Sequence, residues 1–93
     1  MAHLIKTGKE CRNTWLGRPG QVFALHFDHQ PKGKRVSIHT WDDDRTVEIR
    51  AIFEDGRGLR FKLYEEKNLG VVTREEAIRE ALDMANRVWP DAR

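Results

Sequence analysis

Ninety-three residues, 39% of them hydrophobic and 34% charged, suffice for one hydrophobic core but not two, and leave little room for an enclosed active-site cavity. A formal charge of only +2 argues against a protein whose affinity rests mainly on phosphate contacts. The lone cysteine, Cys11, permits no intramolecular disulfide and fits a reducing compartment; with no apolar run of the length that a signal peptide or membrane span needs, a cytoplasmic location and no membrane partner are expected.

The reading is of one domain over residues 1–93. Charge is unevenly distributed along it: residues 1–41 carry seven basic and two acidic groups, a balance of +5, and residues 42–93 carry ten and thirteen, a balance of −3. In the first twenty residues Leu4, Ile5, Trp15 and Leu16 follow no sustained period. A short edge strand or a helical turn is expected there, and Gly17, Pro19 and Gly20 lead into the first regular strand.

From Gln21 the pattern turns to period two, with Phe23, Leu25 and Phe27 on one side and Val22, Ala24, His26 and Asp28 on the other, predicting a strand over 21–29. Pro31 and Gly33 turn the chain into a second strand, 35–41, with Val36 and Ile38 inward and Arg35, Ser37, His39 and Trp41 outward. Asp42, Asp43 and Asp44 break that run. A third strand, 45–54, alternates Val47, Ile49, Ala51 and Phe53 against Glu48, Arg50 and Ile52, and Asp55-Gly56 is a strong hairpin signal. The fourth, 58–65, sets Leu59, Phe61 and Leu63 inward against Arg60, Lys62 and Tyr64.

Thr73-Arg-Glu-Glu reads as a capping box opening a helix over 74–89. Ala77, Ile78, Ala81, Leu82, Ala85, Val88 and Trp89 recur at helical spacing, Pro90 marks the stop, and Glu75 with Arg79 and Asp83 with Arg87 are spaced for pairs on the outer face. Short connections imply an antiparallel meander. The expected class is therefore α+β: a four-stranded antiparallel sheet, with an additional short N-terminal element, and one amphipathic helix on one face. The other sheet face is left open.

That open face collects His26, His39, Trp41, Glu48, Arg50, Ile52, Arg60, Lys62 and Tyr64. Trp41 is expected as an exposed ring beside Arg45 and Arg50, and large aromatics with arginine are enriched at interface hot spots. The acidic turn Asp42–Asp44 could meet a basic partner, but it lacks the spaced ligands and glycine of a calcium loop. His26, Asp28, His29 and His39 are suitable metal ligands, yet His26 and His39 would have to meet across neighbouring strands, and no metal or other cofactor is expected. Cys11 and Ser37 sit in no nucleophile motif, and no catalytic residues are assigned.

The leading expectation is a non-enzymatic interaction module that binds a protein or nucleoprotein assembly through Trp41, Asp42, Asp43, Asp44, Arg50 and Lys62. The alternative is a single-stranded nucleic-acid binder using His39, Trp41, Arg60, Lys62 and Tyr64, with cations for phosphates and rings for stacked bases. A third reading, homo-oligomerisation, would cover the open face with a second copy. In shape the chain resembles small accessory proteins of phages and mobile elements, including inhibitors of host defence, a likeness of architecture that does not itself carry function.

Overall fold

The computed structural model describes residues 4–15, 17–27, 33–54 and 61–89. Along them run β1 (Leu4–Thr7), β2 (Cys11–Trp15), β3 (Arg18–Phe27), β4 (Lys34–Trp41), β5 (Val47–Glu54), β6 (Phe61–Gly70) and α1 (Arg74–Val88). Every strand pair is antiparallel, in the order β1-β3-β4-β5-β6, with β2 also pairing with β3. The meander expected from the hydrophobic pattern is β3 to β6. Residues 28–29 and 58–60 of the expected strands, the Asp55-Gly56 turn and Pro90 lie outside the described residues.

The strand count is higher than expected because the N-terminal segment supplies two strands. They lie end to end along one edge of β3, β1 against Leu25–Phe27 and β2 against Arg18–Val22. Between them the Gly8 amide donates to the Ala24 carbonyl at 2.7 Å, so the ladder continues across the break. This segment has no hydrophobic alternation to read because its pairing rests on backbone hydrogen bonds to an edge.

Phe23, Leu25, Phe27, Val36, Ile38, Val47, Ile49 and Ala51 form one buried cluster with Ala77, Ala81, Met84, Ala85 and Trp89 of the helical segment. The small alanines let α1 approach the sheet closely, and removing each large aliphatic side chain from water contributes roughly 1.5–3 kcal/mol. At the helix start the Thr73 hydroxyl accepts from the Glu76 amide at 3.2 Å, as the capping-box spacing predicts. At its end the Trp89 amide donates to the Ala85 carbonyl at 2.8 Å. Arg87 pairs with Glu65 of β6 rather than with Asp83, and Lys67 with Glu80 at 3.3 Å. Exposed pairs of this kind are each worth about 1 kcal/mol at most.

β6 departs from strict alternation. Glu65 faces Ala51 and Leu63 faces Ile52, so Tyr64 is an inserted residue, and Leu69 is a second one between Asn68 and Gly70. A bulge moves following side chains to the other face. Leu63, expected inward, consequently lies on the open face at 50% exposure. Tyr64, expected on the open face, meets the Trp89 ring edge to face at 6.0 Å. Lys62 stands opposite Phe53 with its ammonium 5.1 Å from the Tyr64 ring, and so leaves the open face with it.

Gly20 is placed where β3 passes Trp41 of β4. A Cβ there would meet the Thr40 carbonyl oxygen at 2.5 Å and Trp41 Cε3 at 3.1 Å. A backbone atom cannot step aside cheaply, so Gly20→Ala is expected to cost about 1–3 kcal/mol. Thermal unfolding should register this as a midpoint lower by roughly 4–8 °C per kcal/mol, and an unchanged midpoint would refute the close approach.

Candidate functional site: the concave open face

On the side away from α1, the sheet curves into a groove of about 540 Å³. Its floor is laid by alternate residues of the central strands: Val22 and Ala24 of β3, Ser37 and His39 of β4, Arg50 and Ile52 of β5. Lys9 and Cys11 wall it along the β2 edge, and Leu63 and Glu66 along β6.

Two of the floor side chains are buried although no helix among the described residues covers them. Ser37 is 5% and His39 8% exposed. The Ser37 hydroxyl and His39 Nε2 share a hydrogen bond of 3.0 Å, and His39 Nδ1 has no partner among the described residues. Burial, reinforced by the charge of Arg50 and opposed by that of Glu48, which faces it across the strands, lowers the His39 pKa to about 4. The imidazole is therefore neutral at neutral pH.

The two arginines of the groove are paired as well. Arg50 donates to Glu48 at 2.8 Å and lies 3.6 Å from Glu66, while Arg35 pairs with Glu54. The result is an apolar concavity with polar floor groups whose charges are locally compensated.

Trp41 corrects an expectation. Its ring is 3% exposed, stacked 6.2 Å from the His39 ring at 25° and covered by the Arg18 guanidinium 4.8 Å from its centroid. It is packed beside His39 under Arg18 instead of projecting as a contact ring. Arg18 is held there because it also forks onto Asp43 at 2.8 and 2.9 Å and reaches Asp44 at 2.7 Å.

The acidic turn is thus bound into the fold. Asp42 pairs with Arg12 of β2 at 2.7 Å. Asp44 accepts from the Thr46 amide at 3.0 Å and the Thr46 hydroxyl at 2.7 Å, and these hydrogen bonds, with Arg18, hold its carboxyl at about 2. Arg18 likewise lowers the Asp43 pKa. Arg45 closes the turn at a φ of 63°. The arrangement clasps β2 and β3 to the β4–β5 corner, and its carboxylates meet solvent already paired.

Of the residues expected in the site, Arg50 and His39 reach the groove. Trp41 lies beside it on the same face, stacked on His39 and covered by Arg18, Asp42–Asp44 form the clasp, Lys62 and Tyr64 lie toward the helix, and Arg60 is outside the described residues. Val22, not His26, stands opposite His39, so the two histidines do not meet. Sequence reasoning missed Leu63 because a bulge reversed its face, and Lys9 and Cys11 because their segment is an aperiodic edge. Among the described residues no three His, Cys, Asp or Glu side chains gather as a metal site would require, and no helix is long and apolar enough to cross a membrane. No protein-family model, curated protein or solved structure matches this chain.

Proposed function

We propose that this protein is a non-enzymatic interaction module that receives a protein partner on the concave open face, in the manner of a small accessory or inhibitor protein. The observation that supports it is a groove with Leu63 exposed on its wall and Ile52 on its floor, beside Arg50, with nothing among the described residues laid over it. Uncovered apolar concavities of this kind are where partners seat their anchoring side chains. Arg50, Ile52 and Leu63 are the contacts of this reading. The nucleic-acid alternative is less well supported, because its rings would have to line the open face, whereas Trp41 is covered and Tyr64, though 40% exposed, lies toward the helix beside Trp89.

The test is a pull-down from host lysate, with and without nuclease, comparing the intact protein with Leu63→Glu. Leu63 is half exposed, so the substitution leaves the core intact. The expected result is a nuclease-resistant protein partner held by the intact form and lost by the variant. Recovery of nucleic acid alone, or equal capture by both forms, would overturn the proposal.

A further inference from the structure

We infer that Arg18 is a salt-released arm over Trp41: while its ion pairs to Asp43 and Asp44 are closed it covers the ring, and once they break it leaves the ring open to solvent. The device lies beside the groove and stands whether or not a protein partner binds there.

Trp41 projects from β4 on the same side as His39, where no helix among the described residues lies over it. Its 3% exposure is set by neighbouring side chains. His39 stacks on it, and Gly20 lies so close that a Cβ there would meet Cε3 at 3.1 Å. Arg18 spans the ring with its guanidinium 4.8 Å from the centroid. Of these three, Arg18 alone is a long side chain that swings away by rotamer change, with the backbone fixed.

The tip of the arm is anchored by charge, through Asp43 at 2.8 and 2.9 Å and Asp44 at 2.7 Å, and all three side chains are at least partly exposed. Ion pairs in contact with water are individually weak and are screened by salt. The carboxylates keep their places without the arm. Asp44 is fixed by the Thr46 amide and hydroxyl, Asp43 accepts from the Asp44 amide at 2.7 Å, and the Asp42 amide ties the turn to the Pro19 carbonyl at 3.1 Å. Arg18 therefore lifts while the turn stays.

Closure also works against a polar group. The Trp41 indole N–H is buried without a hydrogen-bond partner, and an orphaned donor opposes the closed state. Apolar ring surface, which opening would return to water, favours it. With these two effects opposed, the ion pairs tip the balance, and so the cover responds to ionic strength. Opening adds a ring and an unpaired guanidinium to the open face, the two residue types most enriched at interface hot spots.

The experiment follows hydrogen exchange of the indole N–H groups with water by NMR in isotopically labelled protein, the Trp41 signal being identified by its loss in Trp41→Phe. NaCl is raised from about 0.01 M to about 1 M, across which the screening length falls from roughly 30 Å to roughly 3 Å. The expected result is exchange at Trp41 faster by about threefold or more, with no change at Trp89, which is buried in the core on the helix side. Asp43→Asn combined with Asp44→Asn keeps the side-chain oxygens and removes the charge, so exchange at Trp41 should be fast already at low salt and insensitive to more. Arg18→Met keeps a flexible cover without charge; it too should lose the salt response, and it serves should the double variant not fold. Salt-insensitive exchange at Trp41 in the parent, equal acceleration of Trp41 and Trp89, or an unaltered salt response in a folded variant would overturn the inference.

Discussion

Ile49→Ala is expected to lower the stability of the fold by about 2–5 kcal/mol. Ile49 is fully buried at the centre of the sheet, opposite Ile38 on one neighbouring strand and Lys67 on the other. Truncation removes the transfer free energy of its side chain and leaves a cavity whose cost depends on how far the surroundings can close. Closure is limited here, since α1 already approaches through Ala77, Ala81 and Ala85, and further approach would press backbone on backbone. A chain of this length has roughly 5–14 kcal/mol of stability in total. Urea unfolding should therefore show a large drop in midpoint at an unchanged slope, and a loss below about 1 kcal/mol would mean that the site collapses freely.

Acid should weaken the protein through His39. In the folded state its pKa is about 4, against an ordinary value of 6.5. Between these values the unfolded chain binds the proton and the folded chain does not, so stability rises with pH across the window and falls as pH drops from 6.5 towards 4. At about 1.4 kcal/mol per pH unit, the full loss is about 3 kcal/mol. The groups that decide it are the surrounding burial, Arg50, which disfavours the charged imidazole, and Glu48, which favours it.

His39→Gln keeps a neutral hydrogen-bonding group near Ser37 and removes the titration. Its stability should therefore change far less than the parent's between pH 7 and pH 4.5, measured by urea unfolding at both. Asp43 and Asp44 have folded pKa values lowered from the ordinary 3.8. What they contribute is lost as pH falls below that ordinary value, so it does not obscure the histidine window. Parallel losses in parent and variant would show that His39 is not the group responsible.

His39 is held neutral because its side chain is buried, stacked beside Trp41 and hydrogen-bonded to Ser37. A polar residue so placed destabilises the fold in acid.

Much of this was legible in the residues alone. Period-two alternation from Phe23 to Phe53 and the stripe on α1 mark which side chains need burial, and the Thr73 capping sequence marks where the helix begins, because these are local consequences of backbone geometry. That reasoning yields the α+β class, the antiparallel meander, the covered face and the existence of an open one. It could not pair the aperiodic N-terminal segment with β3, because edge pairing depends on a neighbour distant in the chain. Nor could it place the bulges in β6, which exchange Leu63 for Tyr64 on the open face while the sequence still reads as simple alternation. Trp41 was legible as a large ring at a strand end; its burial was decided by Arg18, which β3 brings over the ring beside its strand neighbour His39. The acidic turn, likewise, was visible as three consecutive charges, but Arg12 and Arg18 neutralise it from thirty and twenty-five residues away. Local periodicity thus determined which elements form, while the tertiary structure alone decided the groove and its charge balance, because both arise from side chains meeting across strands that only the folded register aligns.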